Sequence, residues 1–291
     1  MLYYHSAVSK TVKAFAKINL GLRVLRRCPD GYHEIETLFQ SIDLHDTLTL
    51  APSEQLDVEL EIASPWALPE GPENLVYRAA ERVLAHAGIR AGVRIYLEKR
   101  IPVGAGLGGG SSDAAATLVG LNALLDLGLS DAKLRQLAGG LGSDVPYFLV
   151  GGLCRAQGRG EILERLPSRL EEYSFLLIKP DRTLSTEAVY RQYDVLRAQG
   201  WHPPPARLCE GIDCANDLEE AAMRLCPKLR EVPQILKEMQ PEVWGMSGSG
   251  PTYYAAWRAP TRAQGAAHSI AQKGYTVYWT RPTQNGYEFV Q

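Results

Sequence analysis

An eleven-residue segment constrains this chain most: Pro102-Val103-Gly104-Ala105-Gly106-Leu107-Gly108-Gly109-Gly110-Ser111-Ser112. Five of the seven residues from 104 to 110 are glycine. Without Cβ atoms, backbone N–H groups can crowd around an anion. Val93, Ile95 and Leu97 alternate before the segment as a strand does, and an alanine-rich helix is expected after it, from about Ser111 to Leu127. The positive end of that helix points at the loop, and Ser111 or Ser112 can cap it or face a phosphate or its magnesium. A strand, a glycine loop and a helix in this order describe a phosphate cradle.

Other glycine loops fit less well. Gly104-x-Gly106-x-x-Gly109 matches the dinucleotide fingerprint, which also needs a second strand after the helix, ending in an acidic residue. Here the helix leads into another helix, and Asp126 lies within the first. A Walker A loop ends in Gly-Lys-Ser/Thr, and this loop has no lysine. The protein-kinase signatures His-Arg-Asp and Asp-Phe-Gly do not occur. A flexible linker is the remaining reading, and the abrupt flanking elements argue against it.

The remaining pattern is α+β. Val12, Ala14, Ala16, Ile18, Leu20, Leu22 and Val24 alternate on one strand face, leaving Lys17 and Asn19 on the other. Pro29-Asp30-Gly31 signals a turn, and residues 43–62 read as a hairpin. Asn74 and Gly88 bracket a helix, Ser130 caps another, and Asn216 caps one that Pro227 interrupts. Strands are expected at Phe175–Ile178, Thr252–Trp257 and Tyr275–Trp279, with a helix near 261–273. The pattern divides into two α+β domains, 1–155 and 156–291.

Composition narrows the function classes. The 291 residues carry 31 Lys+Arg and 33 Asp+Glu, a net charge of −2, so no basic surface for nucleic acid is expected. No apolar run reaches the ~18 residues of a membrane helix. The start Met1–His5 lacks the order of a signal peptide, and the reading is a cytoplasmic protein. Cys28, Cys154, Cys209, Cys214 and Cys226 form no C-x-x-C pair, and six scattered histidines form no H-E-x-x-H. Reduced structural thiols and no transition-metal site are expected.

Taken together, the motifs resemble the GHMP kinase superfamily. Pro102 to Ala115 resembles its phosphate loop, Ala16-Lys17-Ile18-Asn19-Leu20 its amino-terminal motif, and Met246-Ser247-Gly248-Ser249-Gly250-Pro251 its carboxy-terminal glycine motif. They lie in the family's order. Asp30-Gly31-Tyr32-His33-Glu34, Thr37-Leu38-Phe39-Gln40 and Gly142-Ser143-Asp144-Val145-Pro146-Tyr147-Phe148 resemble the branch acting on a cytidine diphosphate-linked methylerythritol in non-mevalonate isoprenoid synthesis. A homoserine, mevalonate or sugar kinase is the alternative, and it leaves the Tyr32-His33 turn without a role.

The resemblance implies a two-domain α+β fold with the active site in the cleft between domains. It implies transfer of the ATP γ-phosphoryl group to the 2-hydroxyl of the polyol. Asp144 is the candidate base, although an aspartate before Pro146 can equally cap a helix. Lys17 is placed near it, where a cation offsets charge on reacting oxygens. Asn19 would orient a hydroxyl, and Tyr32, His33 and Tyr190 would hold cytosine, His33 through whichever nitrogen its tautomer offers.

For ATP, the family pattern suggests Gly104, Gly106, Leu107, Gly108, Gly109, Gly110, Ser111 and Ser112 around the phosphates. It suggests Asn74 and Lys99 near the purine, and Gly248 and Ser249 closing over or bracing the loop. The helix-cap and solvated-lysine readings of Asn74 and Lys99 stay open. Magnesium is implied without identified ligands. Asp113 stands where many relatives carry alanine, either as an anion in the first helical turn or as a group repelling phosphate. Oligomeric state has no signature in the chain.

Overall fold

The computed structural model describes residues 9–290, so the amino-terminal Met1–His5 segment lies outside the described residues. The first half carries β1 (Lys10–Arg27), β2 (His33–Ser53), β3 (Val58–Ala63), α1 (Leu75–Ala87), β4 (Gly92–Glu98), α2 (Gly109–Leu124), α3 (Asp131–Gly139) and α4 (Val145–Val150). Then come β5 (Leu153–Gln157), β6 (Ile162–Leu166), β7 (Ser174–Pro180), α5 (Thr186–Ala198), β8 (Leu208–Cys209), β9 (Ile212–Asp213) and α6 (Glu219–Leu225). The chain ends with α7 (Glu231–Met239), β10 (Val243–Met246), β11 (Tyr253–Trp257), α8 (Pro260–Gln272), β12 (Tyr275–Thr280) and β13 (Tyr287–Val290).

Two main sheets organise these elements. The larger has the order β13-β1-β2-β4-β3, with β5 and β6 continuing from the other end of β2. The smaller has the order β10-β11-β7-β12. Three buried clusters follow. Val12, Ala14, Leu48 and Ile95 pack under Val76, Ala80, Ala115 and Leu118 of α1 and α2. Ile18, Leu20, Leu177 and Tyr254 lie between the sheets, and Ile178, Val189, Leu236 and Trp257 form the third cluster. Helices α1 and α2 cover one end of the larger sheet, whose strands β2 and β4 alternate buried and more exposed residues. The smaller sheet, buried on both faces at β7 and β11, packs between the larger sheet and the remaining helices.

Local signals place most elements. Asn74 Oδ1 accepts from Val76 N–H, and Gly88 ends α1 in the left-handed conformation. Ser130 Oγ accepts from Lys133 N–H at the start of α3. Asn216 Oδ1 accepts from Leu218 N–H just before α6, and Pro227 opens a 3-10 turn after it.

Several expectations change. The alternating residues of β1 feed three cores in turn: Val12 and Ala14 join the first cluster, Ala16, Ile18 and Leu20 the second, and Leu22 the third. The strand runs for 18 residues, and its pairing with β2 shifts register at Phe15/Ala16 and Asn19/Gly21. Irregularities of this kind, with strand twist, carry one face past successive neighbours.

Residues 43–62 are no hairpin. β4 sits between β2 and β3, antiparallel to the former and parallel to the latter. A boundary at residue 155 falls inside β5, which pairs with β2, and β13 returns to pair with β1. Sheet membership thus crosses the expected division twice, because backbone pairing with β1 and β2 is open to strands from anywhere in the chain. No helix among the described residues is long and apolar enough to cross a membrane.

Candidate active site

The two halves enclose a cavity of about 1060 Å³. Its walls include Lys17, Asn19, Tyr32, His33, Asn74, Lys99, Asp144, Tyr190, Gly248 and Ser249, with Gly104, Gly106, Leu107, Gly108, Gly109, Gly110 and Ser111 of the glycine loop. Residues separated by more than 200 positions therefore face one space. Ser112 is the exception. It is 1% exposed, and its hydroxyl donates to Phe15 O at 2.6 Å, so it ties α2 to β1.

The loop approaches its neighbours where side chains cannot fit. Gly106 has φ +76°, and a Cβ there would lie 2.4 Å from Ser247 O. Gly108, in the left-handed conformation at φ +70°, is the N-cap of α2, and no side chain caps this terminus. The helix begins at Gly109, so Ser111 and Ser112 sit inside the first turn instead of before it, and Asp113 falls beyond it. Glycine's freedom at positive φ lets the turn close two residues early. The first amides of α2 have no intrahelical acceptor and are available to an anion.

β1 supplies the polar face. Lys17 Nζ donates to Asn19 Oδ1 at 2.5 Å, lies 3.5 Å from Asp144 Oδ2, and stands 4.8 Å over the Phe39 ring. Lys17 and Asn19 are buried, not solvated. Asn19 Nδ2 donates to Thr37 Oγ1 at 2.8 Å, which orients its amide. Lys17 N–H donates to Leu107 O at 3.0 Å, pinning the loop to the strand. Asp144 occupies the N-cap position of α4, but its side chain makes no capping bond. With its side chain about one-third exposed, it faces Lys17 and the cavity.

The glycine turn after β10 braces the other side. Ser247 Oγ accepts from Asn19 N–H at 3.0 Å and donates to Gly106 O at 2.9 Å. Asn216 Nδ2 donates to Met246 O and Gly248 O, at 2.9 and 2.8 Å. Thr186 and Ser249 hydroxyls are 3.0 Å apart.

Tyr32 and His33 part company after their shared turn. Tyr32 is 59% exposed, with the Arg159 guanidinium 4.1 Å from its ring centroid. Arg159 also pairs with Asp30. His33 is buried, and its ring stacks on Tyr190 with centroids 4.9 Å apart. Burial, with Asp144 nearby, raises the Tyr190 phenol above its usual range, so it remains a neutral ring.

Asn74 and Lys99 line the cavity with committed polar atoms. Asn74 caps α1 through Oδ1 and donates to Pro69 O from Nδ2 at 2.8 Å. Lys99 is no solvated lysine. It is 6% exposed, paired with Asp46, and bonded to Asp113 Oδ2 at 2.6 Å. Burial opposes its charge, but Asp113 and Asp46 outweigh that and raise it above the ordinary lysine value. Asp46 Oδ1 also accepts from Ile101 N–H at 2.8 Å and from Arg100 N–H.

Asp113 thus lies beyond the first turn of α2, lines the cavity and pairs with Lys99. Burial pushes its carboxyl well above the usual range, Lys99 pulls it back, and Asp46 adds to the rise. The triad ties the strand exit at Lys99 to α2 just beyond its first turn at Asp113, on either side of the glycine loop.

Some residues in and around the cavity were not anticipated. Ser247 and Asn216 belong to segments noted above, but their long-range partners have no local signal. Arg159 and Asp194 line the cavity from a turn and from α5. Asp194 is four residues after Tyr190, so helical spacing alone points to it. Nothing in the surrounding sequence marks Asp46. Among the described residues, no group of three or more His, Cys, Asp or Glu side chains could hold a metal ion.

The model of the GHMP kinases N terminal domain matches residues 74–152, which include α1, the glycine loop and Asp144. A 4-diphosphocytidyl-2-C-methyl-D-erythritol kinase of Pelotomaculum thermopropionicum is 45% identical over 257 residues, covering 84% of this chain and 88% of that protein. One of Thermodesulfovibrio yellowstonii is 36% identical over 287 residues, 94% of this chain and 97% of its own. A crystal structure of 4-(cytidine 5'-diphospho)-2C-methyl-D-erythritol kinase superposes with TM-score 0.74 at 37% identity, covering 94% and 98% of the two chains. A homoserine kinase of Cytophaga hutchinsonii, TM-score 0.76 at 21% identity over the whole of both chains, shares the fold. With identity of this order sustained along nearly its full length, the chain belongs to the 4-diphosphocytidyl-2-C-methyl-D-erythritol kinase family of GHMP kinases.

Proposed function

We propose that the cavity transfers the γ-phosphoryl group of ATP to the 2-hydroxyl of 4-diphosphocytidyl-2-C-methyl-D-erythritol. The observation that carries this reading is the pairing of Asp144 with Lys17 beside the glycine loop, with the Asp144 carboxylate left out of helix capping.

Phosphoryl transfer calls for alignment, charge compensation and an acceptor for the hydroxyl proton. Asp144 takes that proton as the substrate oxygen bonds to the γ-phosphorus. The bond from that phosphorus to the β–γ bridging oxygen breaks, and ADP leaves. Lys17 offsets negative charge on the transferring group, which in a dehydrated cleft counts for more than in water. Asn19, oriented by Thr37, positions the hydroxyl. The free amides at the start of α2 and the turn at Gly248 and Ser249 hold the phosphates. Tyr32, His33 and Tyr190 hold the cytosine, and Asn74 with Lys99 borders the purine.

Bound magnesium would draw most of its ligands from phosphate oxygens and water, as this ion does at nucleotide sites. Asp144 and Ser111 are among the oxygen-bearing side chains that line the cavity and would be placed to help hold the ion, which would offset charge on the phosphate oxygens. The partners are two small anionic molecules, ATP and a cytidine diphosphate-linked polyol, and the compartment is the cytoplasm.

The test is ADP release by the purified chain with the cytidyl substrate, mevalonate, homoserine and a sugar as acceptors. Turnover with the cytidyl substrate alone is expected. Turnover with mevalonate or homoserine, and none with the cytidyl substrate, would remove this assignment. Asp144→Asn should lower kcat by about 100-fold or more while leaving substrate binding nearly intact, the loss typical of a positioned base. Near-normal turnover would take that role from Asp144.

A further inference from the structure

α5 presents three groups to His33. Tyr190, Tyr193 and Asp194 lie at spacings of three and four residues, one face of a helix. Tyr190 stacks on the imidazole at 25° to it, and Tyr193 meets it edge-on with centroids 6.1 Å apart. Asp194 Oδ1 is 2.8 Å from His33 Nε2. The other oxygen of Asp194 is 3.5 Å from Arg27 Nε. The ring therefore cannot turn freely, and its two nitrogens are in different surroundings. No side chain or backbone group among the described residues bonds Nδ1, while His33 lines the cavity.

A carboxylate only accepts hydrogen bonds. Facing Asp194, Nε2 must carry the proton, so Nδ1 of the neutral ring is left as an acceptor. Cytosine and uracil differ at the group such an acceptor would meet. Cytosine carries an exocyclic amine, which donates, and uracil carries a carbonyl oxygen in its place, which repels a second acceptor.

We propose that Asp194 is a positioning residue that makes this cavity select a cytosine over a uracil base, by holding His33 in the tautomer whose Nδ1 accepts from the cytosine amine. Arg27 steadies the carboxylate from its far side. The inference rests on the cytidyl reading of the cavity and adds how the base is told apart from its nearest analogue. Tight discrimination of this kind is characteristic of a site whose polar group is left unpaired by the wrong ligand.

The experiment compares kcat/KM for the cytidyl substrate and for its uridine counterpart in the full-length chain and in Asp194→Asn and Asp194→Ala. Asparagine can donate its amide hydrogen to Nε2 and so favour the opposite tautomer, with Nδ1 as donor. The expected result is a cytidine-to-uridine ratio reduced about tenfold or more in Asp194→Asn, with KM for ATP unchanged. Part of that change should be a gain with the uridine compound, which general damage to the fold cannot produce.

In parallel, 15N–1H couplings of His33 in the 15N-labelled protein should place the proton on Nε2 in the native chain and not exclusively there in Asp194→Asn. An unchanged ratio in both variants, or a native His33 with its proton on Nδ1, overturns the role of Asp194 while leaving the kinase reading intact. A native enzyme that turns over no cytidyl substrate overturns the functional reading and this inference together.

Discussion

Ser247 and Gly106, 141 residues apart, are joined by a hydrogen bond of 2.9 Å from the serine hydroxyl to the glycine carbonyl. The same hydroxyl accepts from Asn19 N–H, so one buried oxygen connects β1, the phosphate loop and the carboxy-terminal glycine turn. Ser247→Ala leaves the buried Asn19 amide and the half-buried Gly106 carbonyl without this partner. The expected cost is about 1–3 kcal/mol of stability. Because the loop then loses its brace, KM for ATP should rise more than KM for the polyol substrate. Urea denaturation and steady-state kinetics check both, and an unchanged urea midpoint would deny the serine this role.

Tyr32 offers a test confined to the base pocket. It is 59% exposed, so its removal takes little from the core. Aromatic stacking on a base contributes about 1–3 kcal/mol. Tyr32→Ala should therefore raise KM for the cytidyl substrate roughly tenfold while KM for ATP stays put. Equal effects on the two would contradict the placement of cytosine at this tyrosine.

The triad of Lys99, Asp46 and Asp113 predicts a pH dependence of stability. The folded chain raises the Asp113 pKa, chiefly by burial. A group raised in this way contributes stability that is full below its unfolded pKa and is lost as pH rises through the folded value. Stability should therefore decline from the ordinary carboxylate range, about pH 4, upward. Asp113→Asn keeps an acceptor for Lys99 and removes the buried charge, so it should flatten that decline and be the more stable protein at neutral pH. Asp46→Ala should cost about 3–5 kcal/mol, because it takes one of two carboxylates from the buried ammonium and the acceptor from the Arg100 and Ile101 amides. Urea midpoints measured across pH decide, and identical slopes for the native chain and the Asp113→Asn variant would refute the account.

Cys209 sits half-buried at the tip of the β8–β9 hairpin. A hydrogen bond with the Cys214 thiol lowers its pKa to about 6, and Arg207 adds to the shift. At neutral pH it should be largely thiolate and alkylate faster than Cys28, the other partly exposed cysteine. Peptide mapping after iodoacetamide treatment should give a rate rising through about pH 6 for Cys209. A rate that climbs only near the ordinary thiol value, about 8.5, would show that Cys214 does not stabilise the anion.

Much of this molecule is written in short stretches of chain. The alternation of β1, the Asn74 and Gly88 boundaries of α1, and the glycine run before α2 each act within a few residues, where backbone sterics and capping bonds decide the outcome. The cavity-lining residues from Lys17 to Ser249 were legible for a similar reason: motifs keep short spacings, and their order matched one family.

Other features depend on partners far along the chain. Nothing near Asp46 announces that its carboxylate will hold Lys99, and nothing near Ser247 announces Gly106. The placement of β4 between β2 and β3, and the return of β13 to β1, follow from which strand edges are open once the sheet assembles. The roles of Asp144 and His33 divide in the same way. The residue types allow a cap or a base, and either of two tautomers. Asp144 meets Lys17 and His33 meets Asp194 only after folding, because a charge or hydrogen-bond acceptor acts on its neighbour only at contact distance, and tertiary packing sets those distances.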